Sequence, residues 1–195
     1  MNTQREQLIQ TWLQATLQTD QFEINFLAGD ASFRRYARIK LQNKTYMLMD
    51  APPEKEDCVP FVEIDEFFDK NGVRVPHIVA KDLSLGLLLL EDFGDVVLST
   101  LLNDDTVDQY YAQSFKQLID LQQIDAHQQL PAYSYEKLMT EMRLLTEWML
   151  PSLEIQPTEQ QLETIEQAFD FLAIEAINQP QVIVHRDYHS RNLMK

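Results

Sequence analysis

The sequence predicts an α+β fold with two lobes, in which a β-rich N-terminal lobe precedes a helical C-terminal lobe. Short stretches with strand character occur before position 94, whereas apolar residues recur at helical spacing after it. The chain has 195 residues, of which 45% are hydrophobic, which is enough apolar material for a packed core. We expect the boundary at Glu91-Asp92-Phe93-Gly94, with one lobe over residues 1–93 and the other over residues 94–195.

The β-rich half should begin with a helix. Its apolar face is formed by Leu8, Ile9, Trp12, Leu13 and Leu17. Strands are expected over residues 22–27, 33–41, 45–49, 78–81 and 87–90, and the last is apolar throughout, which predicts burial on both faces. A helix over residues 60–70 should end at Asn71-Gly72 and face inward through Phe61, Ile64, Phe67 and Phe68.

The second half should contain three helices and a short strand. The helices are expected over residues 106–124, over residues 135–149, and from a capping box at Thr158 and Gln161 to about Asn178. The side chains expected to face inward are Val107, Tyr110, Tyr111, Phe115, Leu118 and Ile119 in the first helix, Leu138, Met142, Leu145 and Trp148 in the second, and Leu162, Ile165, Phe169 and Leu172 in the third. Residues 182–184 predict the strand.

Charge and cysteine content exclude several classes of protein. The formal net charge is −15, from 31 acidic and 16 basic residues, so we expect no nucleic-acid partner. The acidity favours a solvated surface, with an electrostatic funnel for a cationic substrate as the alternative. The single cysteine, Cys58, cannot form an internal disulfide. Neither a signal peptide nor a membrane-spanning run is present, so we expect a cytoplasmic protein with no membrane partner.

The string His185-Arg186-Asp187-Tyr188-His189-Ser190-Arg191-Asn192 carries the strongest functional signal. Its spacing, H-R-D-x-x-x-x-N, is typical of a phosphoryl-transfer catalytic loop. In such a loop Asp187 would accept the proton of an attacking hydroxyl, and the amide oxygen of Asn192 would bind Mg²⁺. The alternative is an ordinary polar loop in which Asp187 is a turn or cap residue.

The same string resembles the catalytic loop of aminoglycoside phosphotransferases and their sugar-kinase and choline-kinase relatives, of which a histidine at the position of His189 is typical. The segment Gly29-Asp30-Ala31-Ser32-Phe33-Arg34-Arg35-Tyr36 resembles the phosphate loop of bacterial cell-wall amino-sugar kinases. Those enzymes phosphorylate the anomeric hydroxyl of N-acetylmuramate and N-acetylglucosamine. Residues 49–54 and 88–94 are similar to the same group, so the resemblance covers essentially the whole chain.

The resemblance implies a protein-kinase-like two-lobed fold with an incomplete helical C-lobe, the cofactors ATP and Mg²⁺, and a small-molecule substrate, with an amino sugar favoured. Residues 1–93 would be the nucleotide-binding lobe with the hinge, and residues 94–195 the first part of the helical lobe. It implies Asp187 as the catalytic base and Asn192 as a metal ligand. The implied nucleotide-binding residues are Gly29, Asp30, Ala31, Ser32, Arg34 and Arg35 at the phosphates, and Leu90, Glu91, Asp92 and Phe93 in the hinge. An acid of the helix over residues 60–70, Glu63 or Glu66, should face the site.

Two departures from the family pattern qualify these expectations. The third strand has no lysine where kinases hold the α- and β-phosphates. Arg34, Arg35 or Arg38 could supply that charge, or could be ordinary outward-facing strand residues. The sequence stops at Lys195, before the second metal-binding aspartate, so we expect little activity from these 195 residues alone.

Four interpretations of the function remain open: an amino-sugar kinase, an aminoglycoside or choline-type kinase, a pseudokinase, and a self-associating chain. An aminoglycoside or choline-type kinase differs from an amino-sugar kinase only in the acceptor. A nucleotide-binding pseudokinase is favoured slightly by the missing lysine and disfavoured by the intact Asp187 and Asn192. Self-association is expected if apolar helix faces of the 195-residue chain are left uncovered.

Overall fold

The computed structural model describes residues 4–28, 33–126 and 129–195. It confirms the predicted α+β class, since a five-stranded antiparallel sheet is combined with helices, and the strand order is β1-β2-β3-β5-β4. The elements of the first half are α1 (Gln4–Leu17), β1 (Glu23–Phe26), β2 (Arg35–Leu41), β3 (Lys44–Asp50), α2 (Val59–Lys70), β4 (Ile78–Asp82) and β5 (Leu87–Glu91). All five predicted strands are therefore present.

Alternation along the central strands gives the sheet two apolar faces. Leu87 and Leu89 of β5 lie in one buried cluster with Ile9 and Leu13 of α1. Their neighbours Leu88 and Leu90 point the other way, into a cluster with Met49 and Val62. Burying each side chain of this size stabilises the fold by about 1.5–3 kcal/mol. The expectation that β5 is buried on both faces is confirmed.

The buried face of α2 agrees only in part with the predicted one, since Phe61 packs against the cluster of Met49 and Val62 as expected. Ile64 is 39% exposed, whereas Val62 and Asp65 are buried. Cys58, Val62 and Asp65 are spaced by four and three residues and so share one side of the helix. This side packs on the sheet through Cys58 and Val62. Two neighbouring faces of α2 carry apolar residues, and the phenylalanines favoured one of them in the prediction. Which face is buried depends on how the helix packs on the sheet.

The second half is helical as predicted. Its elements are α3 (Val107–Gln122), α4 (Tyr135–Leu144), α5 (Leu150–Ser152) and α6 (Glu159–Ile177), with a π-helical turn at Leu145–Met149 between α4 and α5. Thr158 and Gln161 form the predicted capping box at the start of α6, and Asn178 caps its end. Met139 of α4 packs against Phe169 and Ala173 of α6.

The predicted inward faces of these helices are right in part, since Leu138, Met142, Leu145, Ile165 and Phe169 lie in or against the core cluster, but several other side chains are exposed. Phe115 is 56% exposed and Trp148 is 70% exposed. Other side chains expected inside but found exposed are Tyr111, Ile119, Leu162 and Leu172. In α3 the buried residues are instead Ser114 and Leu121. Trp148 leaves the face of Leu138 and Met142 because the π-helical turn contains more residues than an α-helical one and changes the phase of the stripe.

The strand predicted over residues 182–184 is absent, although this segment lies within the described part of the chain. Only Ile183 is buried there, while Val182 and Val184 are exposed. A short apolar run needs a hydrogen-bonded neighbour to become a strand, and residues 182–184 form no ladder with the described residues.

The chain divides into two compact units, one formed by Met1–Gln117 with Asp187–Lys195 and the other by Leu118–Arg186. The predicted lobe boundary between residues 93 and 94 stays a prediction. Among the helices that the structure describes, none combines the length and the apolar character needed to cross a membrane.

Candidate functional site

The loop that carries Asp187 is held by backbone pairing with the segment after Gly94. The Leu98 amide donates to the Leu193 carbonyl at 2.7 Å, and the Ser99 amide donates to the Ser190 carbonyl at 2.8 Å. The Lys195 amide donates to the Val96 carbonyl at 3.1 Å. Val97 and Met194 form an isolated antiparallel bridge. The chain on the C-terminal side of Asn192 is thereby anchored through its backbone.

Asp187 and Asn192 meet as the spacing of the motif predicts. The Asn192 side-chain amide donates to Asp187 Oδ2 at 2.5 Å and to the Asp187 carbonyl at 3.1 Å. This second bond closes the turn, so both functional groups project from one short loop. The Asp187 side chain is 69% exposed. An acceptor hydroxyl can therefore approach its carboxylate from solvent.

His189 contacts the other oxygen of the same carboxylate. Its Nε2 lies 3.2 Å from Asp187 Oδ1, and its Nδ1 accepts a hydrogen bond from the Arg191 amide at 3.2 Å. Because Nδ1 accepts, the proton of the ring is on Nε2, which donates to Asp187. His189 was noted in the sequence only as typical of a family, and this orienting contact was not foreseen.

Tyr188 fixes the loop from its other side. Its hydroxyl donates to the Ser114 carbonyl of α3 at 2.6 Å, and burial raises the pKa of this phenol. No role for Tyr188 was predicted from the sequence. The available signal was a single aromatic residue in an otherwise polar loop, which fits an anchor that packs beneath it.

The predicted hinge residues lie at the end of β5 and are held by two arginines. Arg38 of β2 donates to Asp92 Oδ2 at 2.7 Å and to Asp95 Oδ2 at 2.7 Å. Burial works to raise the pKa of Asp92, but the hydrogen bonds from Arg38 and the Gly94 amide outweigh it and hold this pKa below its usual range. Hydrogen bonds from Arg38 also lower the pKa of Asp95.

The second arginine binds the hinge on its β4 side. Arg74 Nη1 donates to Glu91 Oε2 at 2.8 Å, and its guanidinium lies 4.5 Å from the centre of the Phe93 ring. Hydrogen bonding to Arg74 lowers the pKa of Glu91. The Glu91 amide donates to the His77 carbonyl at 2.8 Å, and Leu90 is buried in β5.

The predicted phosphate loop is only partly described. Gly29, Asp30, Ala31 and Ser32 lie outside the described residues. Arg34 donates to Glu56 Oε1 at 2.6 Å, and Arg35 donates to the buried Asp50 at 2.5 Å. All three arginines considered as substitutes for the missing lysine, including Arg38, therefore already hold a carboxylate.

The family of the chain follows from a match to a family model over most of its length. The model of the phosphotransferase enzyme family matches residues 23–194. The chain belongs to the phosphotransferase enzyme family. Kinases of this family use ATP.

Curated relatives within the family are N-acetylmuramate/N-acetylglucosamine kinases. The protein of Pseudomonas aeruginosa is 39% identical over 168 residues, which cover 86% of this chain and 50% of the relative. The protein of Neisseria meningitidis is 32% identical over 197 aligned positions, which cover 98% of this chain and 58% of the relative. The chain thus spans about half the length of the curated relatives it matches.

Solved structures of other kinases show the same fold. A Plasmodium vivax ethanolamine kinase matches with a TM-score of 0.59 and 14% identity, over 90% of this chain and 52% of its own. A thermostable mutant of an aminoglycoside phosphotransferase, in a ternary complex with ADP and hygromycin B, matches with a TM-score of 0.61 and 12% identity. The match covers 96% of this chain and 66% of the phosphotransferase. At these identities the likeness establishes the fold alone.

The expectation that an acid of α2, Glu63 or Glu66, faces the nucleotide site stays a prediction. Glu63 is exposed, and Glu66 is exposed and paired with Lys81 of β4. The buried acid of α2 is Asp65, and burial raises its pKa. The burial of Asp65 was not predicted from the sequence, because the phenylalanines were taken to mark the inner face and Asp65 lies on the face of Val62.

The donor chemistry of the loop fits a magnesium ion bound with a nucleotide. Within residues 4–28, 33–126 and 129–195, no group of three or more His, Cys, Asp or Glu side chains is arranged to hold a metal. Mg²⁺ in nucleotide sites takes one or two protein oxygens and fills its shell with phosphates and water. Because the Asn192 nitrogen donates to Asp187, its amide oxygen is the atom suited to such a metal.

Proposed function

We propose that the complete protein is an ATP- and Mg²⁺-dependent kinase that phosphorylates a hydroxyl of a small molecule. The acceptor in this proposal is an amino sugar, N-acetylmuramate or N-acetylglucosamine, at its anomeric hydroxyl. The observation that carries the kinase assignment is the pairing of Asp187 with Asn192 on one loop, with the carboxylate open to solvent. The choice of acceptor rests on the curated relatives, which are kinases of these two sugars.

In the proposed reaction, Asp187 is the base. The acceptor oxygen attacks the γ-phosphorus, the bond from that phosphorus to the β,γ-bridging oxygen breaks, and ADP leaves. The proton of the acceptor hydroxyl passes to the Asp187 carboxylate, which His189 and Asn192 hold in a fixed orientation. Most of the rate enhancement in such a site comes from positioning and from charge stabilisation.

Asn192 is the proposed protein ligand of the magnesium ion, through its amide oxygen. When bound, Mg²⁺ neutralises charge on the phosphates of ATP. The proposed nucleotide site combines residues 29–35 at the phosphates with Leu90–Phe93 at the adenine edge. In this proposal residues 1–93 form the nucleotide-binding lobe and residues 94–195 begin the helical lobe.

A nucleotide-binding pseudokinase is the second candidate, and one observation favours it. The side chains that β3 directs towards α2 are Met47 and Met49, where kinases place a lysine. The intact Asp187 and Asn192 weigh against it, since binding alone needs no base.

An acceptor panel tests the proposal in the complete gene product. ATP consumption would be measured with N-acetylmuramate, N-acetylglucosamine, choline, ethanolamine and hygromycin B as acceptors. We expect kcat/KM for the two amino sugars to exceed the others by at least about 100-fold, because a site that hydrogen-bonds its substrate strongly rejects unlike acceptors. Turnover only with another acceptor would remove the amino-sugar assignment. ATP binding without turnover on any acceptor would favour the pseudokinase.

A further inference from the structure

Arg38 joins both sides of the hinge turn. Its guanidinium donates to Asp92 Oδ1 at 3.0 Å and Asp92 Oδ2 at 2.7 Å, before the turn. It also donates to Asp95 Oδ1 at 2.8 Å and Asp95 Oδ2 at 2.7 Å, after the turn. A fifth bond of 3.1 Å reaches the carbonyl of Gly94, the turn residue itself, which has a φ of +82°. The side chain of Arg38 therefore holds the residue before the turn, the turn residue and the residue after it.

This arrangement differs from an ordinary surface ion pair. The side chain of Arg38 is 16% exposed and that of Asp92 is 3% exposed. An arginine that binds two carboxylates through a planar fork fixes their directions as well as their distance, which a point charge does not do. Arg38 lies on β2, and β3 separates β2 from β5 in the sheet. The contact therefore ties the hinge to a strand that is not its direct neighbour.

The segment that Arg38 holds also carries the loop of Asp187. Asp95 is followed by Val96, whose carbonyl accepts from the Lys195 amide. Val97 pairs with Met194, and Leu98 pairs with Leu193. A change in the turn at Gly94 would therefore be passed along the backbone to the anchors of the catalytic loop. All of these residues lie in the same compact unit.

We propose that Arg38 is the positioning residue that sets the hinge geometry by which the protein distinguishes ATP from GTP. The inference rests on the proposed function, since it takes residues 90–93 as the segment that meets the base. The hinge backbone selects adenine only when its hydrogen-bond donors and acceptors are fixed in place. A mobile hinge could rearrange to match the different donors and acceptors of guanine. Arg38 supplies that fixation by holding Asp92, Gly94 and Asp95 together.

The test compares kcat/KM for ATP and GTP in the complete gene product, in wild type and in Arg38→Lys. Lysine keeps the charge but lacks the planar five-donor fork, so it cannot fix the directions of both carboxylates and the Gly94 carbonyl as Arg38 does. We expect kcat/KM for ATP to fall about tenfold, mainly through KM, which is the size of effect expected from losing hydrogen bonds to charged groups. We expect the value for GTP to change little, so that the ATP-to-GTP preference also falls about tenfold.

Two further variants keep the proposal falsifiable. Asp95→Asn removes one carboxylate whose side chain is 77% exposed, so folding should be preserved, and the preference should fall about two- to threefold. Arg143→Met is the matched control, because it removes the exposed Arg143–Glu166 ion pair between α4 and α6 and should leave the preference unchanged.

An unchanged ATP-to-GTP preference in both Arg38→Lys and Asp95→Asn would overturn the proposal, even if the melting temperature fell. A wild-type protein with no preference between the two nucleotides would also overturn it. Failure of the wild type to bind or consume either nucleotide would instead refute the proposed function.

Discussion

The hinge and the catalytic loop each present an aspartate, and they hold it in opposite ways. The Asp92 side chain is 3% exposed and accepts two hydrogen bonds from Arg38, a permanent cation. The Asp187 side chain is 69% exposed and is held by an amide and an imidazole. Both carboxylates are oriented, but only that of Asp92 is neutralised by a cationic partner.

This contrast separates structural carboxylates from one suited to chemistry. A guanidinium favours the charged form of its partner and makes it a poor proton acceptor. An amide and a neutral ring orient the oxygens of Asp187 without adding a positive charge. Asp50 is the extreme structural case, since its side chain is fully buried between Arg5 and Arg35. Substitutions at these aspartates should therefore separate stability from activity.

Removal of the Asp50 charge should give the largest loss of stability. Asp50→Asn leaves two arginines without their shared carboxylate, and we expect the free energy of unfolding to fall by about 3 kcal/mol. Urea denaturation of the complete gene product measures it. Glu166→Gln, in the exposed pair with Arg143, is the matched control and should cause little change. Equal stability of Asp50→Asn and wild type would show that the buried pair is not structural.

The turn beside Asp50 offers a second, smaller test. Gly86 has a φ of +64°, and a Cβ added there would lie 1.9 Å from the Ala51 carbonyl oxygen. Gly86→Ala should therefore destabilise the protein by about 2 kcal/mol, since both backbone strain and a clash oppose it. Gly72 has a φ of +79° but open space around it, so Gly72→Ala should cost only about 1 kcal/mol. Similar losses in both variants would argue against the close approach at Ala51.

The smallest expected effect is a pH dependence of the hinge. Arg38 holds the pKa values of Asp92 and Asp95 below their usual range. Their contribution to stability is complete above the unfolded pKa of about 4 and is lost as pH falls through the lower folded values. Melting temperatures of wild type and Arg38→Met should therefore differ at pH 7 and converge towards pH 3. Parallel curves across this range would contradict the account.

The sheet was predictable because strands carry local signals. Alternation in residues 33–41 and the four leucines of residues 87–90 determined the strands and the burial of β5. The buried faces of the helices were harder to predict. Phe115 and Trp148 fall on apolar stripes, yet whether a stripe is covered depends on distant elements and, for Trp148, on a π-helical turn.

In the candidate site, contacts within a short motif could be predicted from the sequence, whereas contacts between distant residues could not. Asp187 and Asn192 are five residues apart, so the motif alone predicted that they meet. Arg38 and Asp92 are 54 residues apart, and their contact depends on the strand order of the sheet. Asp65 was missed because its burial follows from the rotation of α2 against the sheet, which the phenylalanines obscured.

The central claim is that Asp187 is the base of a kinase, and Asp187→Asn tests it most directly. In the complete gene product, with ATP and an amino-sugar acceptor, we expect kcat to fall by about 10³-fold or more. ATP affinity and melting temperature should stay at wild-type values, because the side chain is exposed and asparagine keeps its shape. Asp104→Asn, in an exposed turn, serves as the matched control. Turnover of Asp187→Asn within a few-fold of wild type would contradict the account.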